Sequence, residues 1–135
     1  MRFGAGGGTG SSHVSFITAN FFTTITATVK VNLIGSQTGQ GLELRRQNVM
    51  VRPLTFSDLT AIITDNSASI NHEIAYRLNS ADGNQLLTIL AGITGEVSDL
   101  VNTDDVVAGD LIAYDMRFLG GTGSYRFGSV SMRID

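Results

Sequence analysis

Apolar and polar residues alternate with a period of two through most of the chain. In ITATVKVNL, Ile25, Ala27, Val29, Val31 and Leu33 are apolar, and Thr26, Thr28, Lys30 and Asn32 are polar. HEIAYRLN places Ile74, Tyr76 and Leu78 against Glu73, Ala75 and Arg77, and LIAYDMRF places Ile112, Tyr114, Met116 and Phe118 against Asp115 and Arg117. Successive side chains of a strand point to opposite faces, so each run presents one face to a core and the other to water or a partner. The runs are rich in β-branched and aromatic residues, as strands are.

Turn signals separate the runs. GSQTGQG (35–41) is a loop by composition and DNSAS (65–69) a turn. SADGN (80–84) carries Asp82-Gly83, a hairpin signal. DDVVAGD ends in a Gly-Asp turn at Gly109-Asp110. Pro53 ends the strand-like NVMVR, because proline lacks a donor and is confined to strand ends, edges and bulges. LTFSDLTAIIT reads as a strand, although Ser57 or Asp58 could cap a short helix. In the last run, Tyr125 and Phe127 hold odd parity and Val130, Met132 and Ile134 even parity. The change at Gly128 predicts a β-bulge.

The pattern predicts an all-β fold of about eight or nine strands over residues 13–135, for which a β-sandwich or barrel is the natural solution. Residues 1–12, MRFGAGGGTGSS, read as an extended Gly-rich N-terminal arm that is mobile when free. Arg2 and Phe3 would let it order on a neighbouring subunit.

Composition excludes several classes. Of 135 residues only 16% are charged, against roughly 25% in an average soluble domain, yet 42% are hydrophobic, too many for wholesale disorder. There is no Cys, hence no disulfide framework and no thiolate nucleophile or metal ligand. A net charge of -3 argues against nucleic acid as a partner. The most apolar stretches, FFTTITATVKVNLIG and LTFSDLTAIIT, are broken by polar residues and fall short of the ~20 apolar residues of a membrane span. The expectation is a soluble protein with no leader and no membrane partner.

The residues suggest little chemistry. GAGGGTG resembles a dinucleotide fingerprint, but that mechanism needs a strand before the glycines and a helix after them. His13 and His72 read as surface or interface residues. Asp99, Asp104, Asp105 and Asp110 could hold Ca²⁺ but match no EF-hand spacing, and they suit turn chemistry better. No enzyme activity, cofactor or metal is expected. Contact residues are the better candidates. Phe21 and Phe22 cannot both face one side of a regular strand, so one of them is free for a subunit contact. Arg45 and Arg46 likewise point to opposite faces, and an intersubunit salt bridge is the functional reading. With Arg2 and Phe3, these six form the candidate contact set. Tyr76, Tyr114 and Tyr125 are the aromatics a sugar site would need, although the first two fall on the apolar parity.

IAYRLNSADGN, LLTILAGITGEVSD and VVAGDLIAYDM together resemble a pattern in small jelly-roll virion proteins of tailed bacteriophages. The matching positions are Arg77, Asn79, Gly83, Asn84, Gly92, Gly95, Asp99, Ala108, Gly109 and Asp110. The Gly-Asp turn before two closing strands is also similar to C1q/TNF-like trimers. The likeness covers about residues 54–135 and rests on turn and packing residues, so no functional site is carried over. It implies a jelly-roll-like antiparallel β-sandwich of about eight strands and a non-enzymatic viral structural protein, a capsid decoration (cement) protein made in the host cytoplasm. Such a protein would sit on the virion as a homotrimer bound to the major capsid protein or another virion protein. The alternative is a receptor- or carbohydrate-binding domain of a tail fibre or spike.

Overall fold

The computed structural model describes residues 15–19, 24–31 and 48–135. They form ten strands: β1 (Ser15–Ala19), β2 (Val29–Val31), β3 (Asn48–Val49), β4 (Leu54–Asn66), β5 (His72–Leu78), β6 (Ala81–Ile89), β7 (Gly95–Asp99), β8 (Asp104–Val106), β9 (Leu111–Arg117) and β10 (Tyr125–Ile134). The described residues contain no helix.

Two antiparallel sheets result. The first has the order β1-β10-β4-β7, with β8 also on β4, and the second has the order β2-β9-β5-β6, with β3 also on β9. β8 and β7 pair with successive stretches of β4, Leu54–Phe56 and Leu59–Ile63. β2 and β3 likewise follow one another along β9, although residues 32–47 lie between them in sequence. Counting each interrupted edge once leaves eight strand positions, four per sheet. The result is a β-sandwich, one of the two solutions the alternation allowed, with a jelly-roll-like strand order.

The core lies between the sheets. Phe56, Leu59, Ile63, Tyr125, Phe127, Val130 and Met132 come from the first sheet; Ile74, Tyr76, Leu87, Ile89, Ile112, Tyr114 and Met116 come from the second. These are the inward parities of the alternating runs, packed as facing layers. The parity change in β10 is real: the register shifts on both sides of Phe127, between Arg126 and Ser129, around Gly128. LTFSDLTAIIT is strand throughout, with Asp58 at φ 53 letting Phe56 and Leu59 both face inward.

Three expectations need correction. ITATVKVNL is not one strand. Ile25 bridges Tyr125 in the first sheet, whereas Val29–Val31 pair with β9 in the second. The chain crosses between sheets at Thr26–Thr28, which leaves Ala27 exposed. Second, the β5–β6 hairpin turns at Asn79-Ser80 and not at Asp82-Gly83. Leu78 pairs with Ala81, and both turn residues have positive φ (51° and 66°), the backbone of a type I′ turn. Gly83 lies inside β6 and serves packing: a Cβ there would overlap Tyr76 Cδ1. Third, His72 is not a surface residue. It shares the parity of Ile74 and Tyr76 and is fully buried. Its ring stacks on Phe118 and Tyr125 at centroid distances of 4.5 and 5.5 Å, and Leu119 N–H donates to Nδ1 at 3.0 Å.

Candidate functional site

The aspartates that the sequence marks as turn residues fix the connections that flank β7, β8 and β9, the one between β7 and β8 lying along the sheet edge beside Ser57–Asp58. Asp99, nearly buried, accepts from Val101 N and Asn102 N at Oδ1 (3.2 and 3.1 Å), and from Leu86 N and Asn102 Nδ2 at Oδ2 (3.1 and 2.9 Å). Burial alone would raise its pKa, but the hydrogen bonds from Asn102, Leu86 and Val101 outweigh it and hold the carboxyl below its ordinary value. Asp104 accepts from Asn84 N at 2.7 Å and Gln85 N at 3.1 Å. β6 is an edge strand, and the two carboxylates cap its amides at Asn84, Gln85 and Leu86. That blocks strand addition along this stretch of the edge. Asp110 accepts from Val107 N and from Asn79 Nδ2, each at 2.9 Å, and Asp105 from Thr55 Oγ1 at 2.7 Å. Asp99, Asp104 and Asp110 therefore do turn and edge work, and Asp105 bonds the residue it faces across the β4–β8 pair. Among the described residues no three His, Asp or Glu side chains converge on a metal position.

What this scaffold presents is apolar. Asp99 pins the turn that follows it, and Leu100 and Val101 stand out from it, 71% and 87% exposed. Val51 and Val107, near the start of β4, are also exposed. Single exposed apolar residues are ordinary, but two consecutive ones on a loop tied by four hydrogen bonds form a preorganised contact element. The loops beyond the end of β4 are similar. Asn66 Nδ2 donates to Leu90 O and Ile93 O (2.8 and 2.9 Å), Asn71 Oδ1 accepts from Ala91 N (2.9 Å), and Ser69 Oγ accepts from Thr122 N (2.8 Å). Exposed Ile70, Leu90, Ile93 and Leu119 sit on these loops. Ile63, Ile89 and Val97 line a cavity of about 130 Å³ beneath Leu90 and Ile93.

The outward face of the second sheet is charged and internally paired. Arg117 Nε lies 3.0 Å from Asp115 Oδ2 and its Nη1 lies 3.2 Å from Glu73 Oε1, while Asp82 joins both Arg117 and Arg77. Burial works against the Arg117 cation, but Asp115, Glu73 and Asp82 raise its pKa overall. Such a network locks β5, β6 and β9 in register.

Comparison with protein-family models, curated proteins and solved structures finds no match. The functional reading rests on the geometry and on the residues themselves.

Arg2, Phe3, Phe21, Phe22, Arg45 and Arg46 lie outside the described residues, as does His13. Tyr76, Tyr114 and Tyr125 are all buried, so none is a stacking platform for a sugar. The sequence reading missed Leu100-Val101. The available signal was two adjacent apolar residues between Asp99 and Asn102, where period-two alternation ends.

Proposed function

We propose that this chain is a non-enzymatic structural protein that works by contact: a jelly-roll subunit of a tailed-phage virion, serving as a capsid decoration (cement) protein. In this reading it assembles as a homotrimer and binds the major capsid protein or another virion protein. The observation that carries the reading is the Leu100-Val101 pair, held in the open by the buried Asp99 carboxylate. An apolar element fixed before binding loses little entropy when a partner covers it. The capsid assignment itself draws on the resemblance in residues 54–135. The burial of all three tyrosines takes support away from the carbohydrate-binding alternative.

Light scattering on the purified chain, followed by co-sedimentation with capsids stripped of their decoration protein, tests the proposal. A trimer that saturates a fixed number of sites per shell is the expected result. A strict monomer without affinity for shells would sink it.

A further inference from the structure

Two unlike features flank β7, the five-residue strand from Gly95 to Asp99 at the edge of the first sheet beside β4. Its first half lines a pocket of about 130 Å³, with Ile63, Ile89, Leu90, Ile93 and Val97 as apolar walls. Directly after its last residue stands the exposed Leu100-Val101 pair. Asp99 Oδ1 holds that turn by accepting from Val101 N and Asn102 N. At 3.2–3.4 Å per residue the strand keeps the pair and the start of the pocket roughly 13 Å apart.

The two features match in size and in chemistry. Removing one large aliphatic side chain from a packed core leaves a cavity of roughly 150 Å³. A pocket of about 130 Å³ therefore takes one side chain the size of leucine. Leu100 offers that side chain on a turn already fixed, so little entropy is lost when it is covered. Charge is scarce around both. Between residues 85 and 103 the charged residues are Glu96 and Asp99, and Asp99 is nearly buried. Interface cores show the same depletion. One exposed acid per copy sets up little repulsion between copies, and the stretch holds no cation to attract an acidic partner. A second copy of this chain brings both the knob and the socket.

We infer that Leu100 of one copy seats in the β7 pocket of the next, so that copies join head to tail. A knob and a socket are different surfaces, so the contact is heterologous and closes as a ring where the rotation allows. Three such seats close a trimer. The inference rests on the self-assembly reading above and names the surfaces that carry it. With Leu100 seated, Val101 comes to the rim of the pocket, beside the partner subunit's Thr94.

The chain has no Cys, so engineered thiols report on this contact alone. Val101→Cys with Thr94→Cys keeps Leu100 in place, and both positions are exposed. The two thiols of one chain cannot meet, because a disulfide needs Cα atoms within about 7 Å. Under mild oxidation the full chain should yield covalent trimers. Chains should link about tenfold faster than with Val101→Cys and Thr26→Cys, the latter exposed where the chain crosses between the sheets. Adding Leu100→Ala should slow the linkage about tenfold. Val97→Met fills the pocket from within its own chain and should weaken association by a similar factor, read by sedimentation velocity without thiols. Urea unfolding checks that this variant folds. Equal rates for the two thiol pairs, or native association by Val97→Met, would overturn the inference. So would linkage that stops at dimers, which would mean a twofold pairing, or linkage that needs capsids, which would give the pocket to another virion protein. Light scattering on the native chain is scored separately. A trimer whose thiols do not close leaves the assembly reading standing without this seat, whereas a strict monomer removes both.

Discussion

Tyr76 lies across β6 directly over Gly83. A Cβ on Gly83 would overlap the ring at Cδ1 and stand 2.7 Å from Asp104 Oδ1. This glycine is therefore set by close approach and not by a turn. Gly83→Ala should lower stability by about 2–3 kcal/mol, the cost of overpacking a tight site. Urea unfolding measures it. Gly92→Ala is the contrast, because a Cβ there meets nothing within 4 Å. Its cost should be nearer ~1 kcal/mol, from the positive φ of 72° alone.

Gln85 is a buried polar residue whose side-chain groups are all engaged. Its Oε1 accepts from Leu59 N at 3.1 Å, next to the Asp58 irregularity, and its Nε2 donates to Phe56 O and Asp104 Oδ2 at 3.3 and 3.2 Å. It ties β6 to β4 across the core. Gln85→Leu keeps the volume but leaves a buried amide and a buried carbonyl without these partners. A loss of about 2–4 kcal/mol is expected. Hydrogen exchange at the Leu59 amide should also speed up, which a purely packing role for Gln85 would not cause.

His72 should make stability depend on pH. Its Nδ1 accepts from Leu119 N, so the proton of the neutral ring sits on Nε2. Burial lowers its pKa below the ordinary 6.5. The unfolded chain takes up a proton near that value while the folded chain resists it. Stability is thus full above pH ~7.5 and falls as pH drops through 6.5, by at most ~1.4 kcal/mol per unit. His72→Gln retains an acceptor for Leu119 N but cannot titrate. Urea midpoints from pH 7.5 to 5.5 should slope for the native chain and flatten in the variant. Equal slopes would show that His72 is not the group responsible.

The behaviour of these residues shows what could be read from the sequence. The strands of the sandwich were legible because each inward parity, such as Ile112, Tyr114 and Met116, fills one layer of the core. The Gly128 bulge was legible for the same reason. His72 has the parity of Ile74, so its burial was written in the pattern and was masked only by its polarity. The turn at Asn79-Ser80 was harder to find. Asp82-Gly83 has the stronger local signal, but Gly83 is claimed by the Tyr76 ring across the hairpin. That is a tertiary contact with no local trace. The exposure of Leu100 and Val101 was also hidden, because it depends on bonds that Asp99 makes to β6, thirteen residues back in the chain at Leu86.

Acid should loosen the same loop. The Asp99 carboxyl is held below its ordinary pKa of 3.8: burial opposes ionisation, but the hydrogen bonds from Asn102, Leu86 and Val101 prevail. Its contribution is present above pH ~4 and is lost as pH falls through the lower, folded value. Asp99→Asn should lower stability at pH 7 and reduce the acid sensitivity between pH 4 and 2. Circular dichroism during acid titration of both proteins tests this.

The final test separates contact from fold. Leu100 and Val101 are exposed, so replacing both with Ser removes apolar surface that the isolated subunit does not bury. The double variant should therefore unfold within ~0.5 kcal/mol of the native chain, as surface substitutions usually do. If the pair seats in a partner, association should weaken by about tenfold or more, since burying two aliphatic side chains contributes a few kcal/mol. Sedimentation velocity across a concentration series reads the oligomer, and co-sedimentation reads the shell. Asp99→Ala supplies a second view. It leaves both apolar side chains in place but frees the turn, so association should weaken through lost preorganisation while the apolar surface is unchanged. If the Ser variant loses stability and not association, Leu100 and Val101 belong to the fold and the contact surface must be sought elsewhere, around Leu90 and Ile93.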